Sequence, residues 1–223
     1  MNIFSIFQIP YVFLTQSYWR DEAFRILLAR YNLIDIIKYT YNDGQPFLYY
    51  YILKLWMYFF GDSEIATRTL SVIFFEILIF VMYKFSQKIK PKSKTLPAIV
   101  SLLAFFNPSL IYYAFETRVY MMFILIVTLS FYYWYQRKYP AWAFVSLLGL
   151  YSHNFMVFVL FTQAVWFLFV IKDRYKEFIK AGMFMVAGYL PWVLVLINQT
   201  RQVVSDFWIA PPGIGRILTS LGG

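Results

Sequence analysis

Long stretches without a charged side chain, separated by short clusters of Lys and Arg, constrain this chain more than any other feature. Uncharged runs extend over Met1 to Trp19, Thr95 to Phe115, Val119 to Gln136, Tyr139 to Ile171 and Ala181 to Thr200. Each is near or above the roughly 20 residues that cross a bilayer as a helix. As one helix, Tyr139 to Ile171 would be about 50 Å long, more than one crossing needs. The polar knot Tyr151-Ser152-His153-Asn154 lies midway, so this run is read as two short spans meeting at His153. A further span is expected from about Ile65 to Tyr83, interrupted by Glu76. The N-terminal run lacks a basic leader and a small-residue cleavage pattern, and is read as an uncleaved first span. The expectation is an all-α polytopic membrane protein of about seven transmembrane helices.

Composition narrows the alternatives. Hydrophobic residues make up 61% of the 223 and charged residues only 14%, which excludes an ordinary soluble domain and a disordered chain. The aromatic share of 23% suits belts at two membrane surfaces. Without Cys there are no disulfides, thiolate nucleophiles or Cys-bound zinc, and a single His forms no imidazole cage. No glycine-rich phosphate loop, nucleophile elbow or metalloprotease helix motif occurs, so soluble-nucleotide chemistry has no support.

Charge then orients the chain. Three loops, Lys84 to Lys94, Arg137-Lys138 and Lys172 to Lys180, hold eleven of the twenty Lys and Arg, accompanied only by Asp173 and Glu177. Two spans separate each loop from the next, so all three fall on one face, which the positive-inside rule makes cytoplasmic. The net charge of +9 thus reports topology and not a nucleic-acid partner. The opposite, external face receives Arg20, Asp21, Glu22, Asp43, Asp62, Glu64, Arg68, Glu116, Arg118 and His153.

Residues 1–223 read as a single membrane-embedded module with a long first external loop, about 18–64, and an external tail, about 200–223. Within that loop Phe24, Leu27, Leu28, Tyr31 and Ile34 recur at helical spacing against Arg25, Arg30, Asp35 and Lys38. This is the pattern of a helix lying in the membrane interface. Pro46 to Phe60 is apolar but too short to cross and is expected to be a second juxtamembrane helix.

Several residues have two readings. Asp21 and Glu22 suit the positive end of a helix dipole, and a carboxylate there also suits a base that deprotonates an attacking hydroxyl. Arg118 either pairs with Glu116 or holds a phosphate, for which its guanidinium fork is well shaped. Tyr49, Tyr112 and Tyr120 are core aromatics or platforms for a sugar. His153 is a hydrogen-bonded packing residue or a site residue. Glu76, among Phe74, Phe75, Ile77 and Leu78, is a neutral acid bonded to a neighbouring helix or a functional group inside the membrane.

Taken in order, SYWRDEAF (Ser17 to Phe24), DGQPFLYYYILKLW (Asp43 to Trp56), FGDSEIATRTLSV (Phe60 to Val72), YYAFETRVYMM (Tyr112 to Met122) and YSHNF (Tyr151 to Phe155) resemble the type-C glycosyltransferases. The likeness is to the branch related to protein O-mannosyltransferases and to the bacterial aminoarabinose transferases that act on lipid A. It runs from Tyr18 to the segment Phe207 to Pro212. The resemblance implies a catalytic module of seven membrane helices in the cell (inner) membrane, with its active site facing the outside or periplasm. It implies inverting transfer of a sugar from a polyprenyl phosphate to a hydroxyl of a glycan, lipid or protein acceptor.

Carried over residue by residue, Asp21 falls on the family's base with Glu22 beside it. Arg118 is the leading candidate for the donor phosphate, with Arg68 and Arg20 behind it. Asp43, Gln45, Tyr49, Glu116, Tyr120 and His153 are candidates for substrate contacts. Where the family usually has His or Lys before a Pro-Pro pair, this chain has Gln45-Pro46-Phe47. No protein metal site is expected, and a divalent cation as cofactor is left open. The family continues into a variable module, so the chain is expected to be a fragment or a compact member with that module absent or truncated. A transporter or flippase, and a non-catalytic subunit of an envelope glycan assembly, are the competing classes.

Overall fold

The computed structural model describes residues 12–42, 44–171 and 174–206. The described chain is helical, and no strand occurs among the described residues. Residues 12–15 are helical and lead into α1 (Arg20–Arg30), α2 (Leu33–Tyr41) and α3 (Leu48–Phe60). There follow α4 (Glu64–Ile89), α5 (Thr95–Phe105), α6 (Pro108–Ala114), α7 (Val119–Tyr135) and α8 (Tyr139–Leu150). The described residues close with α9 (Met156–Trp166), a π-helical turn at Phe167–Ile171, and α10 (Tyr175–Asp206).

Local chemistry sets the boundaries. Trp19 is extended, and the Glu22 carboxylate accepts its backbone N–H at 3.1 Å, closing the first turn of α1. Asn32 caps α2 by accepting the Asp35 N–H at 2.9 Å. The single interfacial helix expected over Phe24 to Lys38 is therefore two helices, because Asn32 serves better as a cap than as a helix interior residue. Gly61, at a φ of 81°, ends α3 in a conformation that disfavours any Cβ, and Ser63 then caps α4. Asn107 accepts the N–H groups of Ser109 and Leu110, and Pro108 opens α6, which bends 61° from α5. The polar knot at Tyr151 to Asn154 does break Tyr139 to Ile171 into α8 and α9.

Two helices are long and apolar enough to cross a membrane, Glu64–Ile89 and Tyr175–Arg201, or three if the bent pair α5 and α6 is one crossing. Val119–Tyr135, Tyr139–Leu150 and Met156–Val170 are apolar but shorter. The outer surface agrees with membrane association: Leu103, Phe158, Phe161 and Leu194 are each about two-thirds exposed, an apolar surface that water does not tolerate over such an extent. The first span, Met1 to Trp19, and the segment Phe207 to Pro212 lie mostly or wholly outside the described residues.

The bundle is held by the pairs α4–α5, α4–α7, α7–α8 and α8–α10. Trp134, Tyr139, Trp142, Phe167, Met185 and Trp192 form one core, and Ile26, Tyr49, Leu53, Leu70 and Met122 another beneath α1 and α3. At Gly188 an added Cβ would meet Leu147 Cδ2 at 2.7 Å, so glycine lets α10 lie close against α8. The Tyr151 hydroxyl donates to the Gly188 carbonyl at 2.7 Å at the same crossing. Between α7, α8 and α9, fully buried Gln163 accepts from Trp142 Nε1 at 2.8 Å and donates to Ser130 at 3.1 Å. A buried amide without these partners would carry a desolvation cost, so the network ties α9 to one register.

Two sequence-based placements change. Arg25, placed on the polar, outward side of the interfacial helix, is buried at 7% exposure. The inward stripe of α1 is Glu22, Arg25, Ile26 and Ala29, at helical spacing, while Phe24 and Leu27 face outward. Glu76 is exposed on α4 and has no partner among the described residues, so it is neither bonded to a neighbouring helix nor directed into a passage.

Candidate functional site

The first helical turn of α1 sends its adjacent carboxylates in different directions. Glu22 points inward and is fully buried, with its carboxylate gripped by Arg68 through Nε to Oε1 at 3.0 Å and Nη2 to Oε2 at 2.7 Å. The Thr117 N–H donates to Oε1 at 2.7 Å. Arg68 spends its remaining N–H groups on main-chain carbonyls: Gln16 at 2.6 Å, Phe13 at 3.1 Å, Leu14 at 3.2 Å and Ser17 at 3.5 Å. Those carbonyls end the helical turn at residues 12–15, where a cation is favoured. Burial pushes the Glu22 carboxyl up, but the Arg68 hydrogen bonds and the Thr117 and Trp19 N–H groups outweigh it and hold the carboxyl below its ordinary value.

Glu22 and Arg68 thus form a closed clamp that joins the first helix, α1, α4 and the turn before α7. Its neighbours extend it. Thr117 Oγ1 donates to Thr67 Oγ1 at 2.9 Å, Tyr18 lies 3.1 Å from the same hydroxyl, and Ser71 donates to the Glu116 carbonyl at 2.6 Å. Arg68 has no exposed surface and no N–H left for a ligand, which removes the geometric basis for a phosphate at this position.

Asp21 points the other way, with its side chain 57% exposed, and pairs with Arg118 at 3.0 Å. Arg118, the residue that opens α7, also meets Glu116 at 3.3 Å and donates to the Tyr120 hydroxyl at 3.2 Å. Its guanidinium lies 4.7 Å from the centre of the Tyr120 ring. Arg20, Asp21, Arg25, Gln45, Arg118 and Tyr120 line one cleft of about 730 Å³, completed by Phe24 and Gly44.

Among the described residues three guanidiniums and a single carboxylate line this space, so its chemistry favours an anion. Arg25 is the buried one of the three. It donates from Nη1 to the Tyr50 hydroxyl at 3.3 Å, its Nε is buried without a partner, and no carboxylate pairs with it among the described residues. An unpaired buried charge costs several kcal/mol, a cost that an arriving anion would offset. The Gln45 Oε1 is likewise buried without a partner.

The loop that presents Gly44 and Gln45 is pinned from outside α1. Asn154 Nδ2 donates to the Gly44 carbonyl at 3.0 Å, the Leu48 N–H donates to the Tyr151 carbonyl at 3.1 Å, and Asn198 Nδ2 donates to the Tyr41 carbonyl at 3.2 Å. His153 stands in the turn behind this loop. Its Nδ1 accepts the Phe155 N–H at 3.2 Å and its ring stacks on Phe123 at 4.9 Å, which makes it a packing and hydrogen-bonding residue that does not line the cleft. Burial, and then the Arg25 charge, push its imidazole below its ordinary value.

Of the site residues expected from sequence, Arg20, Asp21, Gln45, Arg118 and Tyr120 converge on the cleft and Glu116 flanks it through Arg118. Tyr49 does not: at 1% exposure its ring belongs to the core with Ile26 and Leu53, out of reach of a sugar, and burial pushes its hydroxyl well up. Asp43 lies outside the described residues. Arg25 was missed, although its place four residues after Asp21 puts both on one helical face. For a divalent cation, Asp21 and Glu116 are the nearby carboxylates, and both are engaged by Arg118. No three His, Asp or Glu residues converge among the described residues. Compared with known protein families, with curated proteins and with solved structures, the chain matches none.

Proposed function

We propose that this protein is an inverting membrane glycosyltransferase that takes a sugar from a polyprenyl phosphate and transfers it to an acceptor hydroxyl. The observation that carries this reading is a half-exposed carboxylate, Asp21, sharing one cleft with Arg118, Arg25 and Arg20. A sugar joined to a phosphodiester needs this pairing of a base with anion ligands and little covalent help. In the transfer, the acceptor oxygen forms a bond to the sugar's anomeric carbon on the face opposite the phosphate. The bond from that carbon to the phosphate oxygen breaks, its electron pair leaves with the polyprenyl phosphate, and the acceptor proton passes to Asp21. Arg25 and Arg118 stabilise the charge that grows on the departing phosphate.

On this reading the chain crosses the cell membrane seven times. The three Lys and Arg loops lie in the cytoplasm, and the cleft opens on the outside or periplasmic face, where the lipid donor enters sideways from the outer leaflet. The sequence resemblance to type-C glycosyltransferases supports the same assignment. Tyr120 and Gln45 are the groups best placed to meet the sugar, with membrane lipids as the surrounding solvent.

Detergent-solubilised protein incubated with radiolabelled polyprenyl phosphate sugars and an envelope glycolipid extract tests the reading. Label should move to the acceptor with wild type and not with Asp21→Asn, a loss of about 10² to 10⁴ in rate for removal of a general base. Equal transfer by folded Asp21→Asn protein would overturn the assignment of the base.

A further inference from the structure

Two of the cleft's three guanidiniums, Arg118 and Arg25, differ in whether a carboxylate meets them. Arg118 is ion-paired, with Asp21 at 3.0 Å, Glu116 at 3.3 Å and the Tyr120 hydroxyl at 3.2 Å, and its Nε is buried without a partner. Arg25, more than nine-tenths buried, has one neutral contact, to Tyr50 at 3.3 Å, and an Nε without a partner. Both line the same cleft with Asp21. The carboxylate best placed to act as base is therefore held by one cation of the cleft, while buried Arg25 meets no carboxylate among the described residues. The Asp21 Oδ2 that faces Arg118 has a lone pair taken by the guanidinium and offers it to no attacking hydroxyl while the pair holds.

We propose that Arg118 is a latch on Asp21 that the donor's phosphate releases. A phosphodiester entering the cleft seats first on Arg25, then recruits Arg118, whose planar fork suits phosphate oxygens as well as it suits a carboxylate. Arg118 turns away from Asp21, and the carboxylate becomes free to take a proton only once the sugar donor is in place. The unpartnered groups match such a ligand: Arg25 Nε–H meets a phosphate oxygen, and Gln45 Oε1 meets a sugar hydroxyl. Glu116, 6% exposed and fixed through its own carbonyl to Ser71, stays behind as the pivot on which Arg118 turns. The device imposes an order, donor before acceptor, and suppresses proton abstraction from water before the donor arrives.

This inference rests on the glycosyltransferase reading, and the following test separates the two. Asp21 in the full-length detergent-solubilised protein is modified with a water-soluble carbodiimide and an amine, and the rate is read by peptide mass spectrometry with and without farnesyl phosphate. Binding of the same probe is followed in parallel by intrinsic tryptophan fluorescence. Wild type should bind farnesyl phosphate and label Asp21 several-fold faster with it, while farnesol leaves the rate unchanged. Arg118→Gln should label fast without any probe, and Arg25→Gln should lose the acceleration.

Binding with an unchanged or slower labelling rate would overturn the latch and leave the transferase reading standing. Absence of binding by wild type would overturn the anion site and that reading together. Acceleration by farnesol, or slow labelling of Asp21 in Arg118→Gln, would refute the latch even if Arg25→Gln failed to fold.

Discussion

Adjacent carboxylates with opposite surroundings make the sharpest prediction. Glu22→Gln keeps size and shape but removes the charge that compensates fully buried Arg68. The amide Oε1 replaces one carboxylate oxygen, whereas its Nε2 confronts donors: Arg68 Nη2 at 2.7 Å and the Trp19 N–H at 3.1 Å. A buried cation is left unpaired and two donors face a third. Breaking one side of a buried pair costs about 3–5 kcal/mol. At about 2–4 °C per kcal/mol for a chain of this size, the thermal midpoint in detergent should fall by roughly 6–20 °C. Asp21→Asn, one residue away on an exposed side chain, should change stability by less than about 1 kcal/mol.

The double variant Glu22→Leu with Arg68→Met should recover much of the loss, since apolar replacement of a buried pair is often neutral. The pH dependence follows from the depressed Glu22 carboxyl. Its contribution is fully present above the unfolded value near 4.5 and is lost as pH falls through the lower folded value. Wild type should therefore lose stability on acidification below about pH 4.5, and Glu22→Gln should lose less over that window. Thermal scans of the four proteins against pH are decisive. A Glu22→Gln midpoint within 2 °C of wild type, by the scale of about 2–4 °C per kcal/mol, would refute the clamp.

Other expectations follow from particular residues. Because the chain has no Cys, a cysteine at Ser63 should react with an impermeant reagent in intact cells while one at Ser93 stays protected, and the reverse pattern would place the cleft in the cytoplasm. Arg118→Lys keeps the charge but not the fork, so transfer should fall well below that of Glu116→Gln; equal, small losses would leave Arg118 a structural residue. Glu76→Leu should be tolerated or stabilising in membranes, as an unpartnered acid at a helix centre costs about 2.5–3.5 kcal/mol on insertion scales, and a clear drop in membrane yield would show that the carboxylate is needed.

Much of the architecture was legible in one dimension because its determinants are local. Uncharged runs make helices and the polar knot at His153 divides the longest run, each through the chemistry of a few consecutive residues, whereas the bend at Asn107 and Pro108 divides Thr95 to Phe115, which the sequence reading treats as one run. Asp21, Arg118, Gln45 and Tyr120 could be singled out because polar groups next to apolar runs are conspicuous.

The pairing of charges was not legible. Glu22 and Arg68 are 46 residues apart, and Glu22 and Thr117 are 95 apart, so no local pattern announces their contact. In sequence Arg25 shares a polar helical face with Arg30, Asp35 and Lys38, but the break at Asn32 removes two of them from that helix. Successive helical residues point about 100° apart, so Asp21 and Glu22 are neighbours in sequence and strangers in space. Consecutive residues are enough to place the helices and the charges they carry. That Glu22 is enclosed around Arg68 while Asp21 stays beside Arg118 comes from packing, because burial and ion pairing depend on what the remaining helices bring to each face.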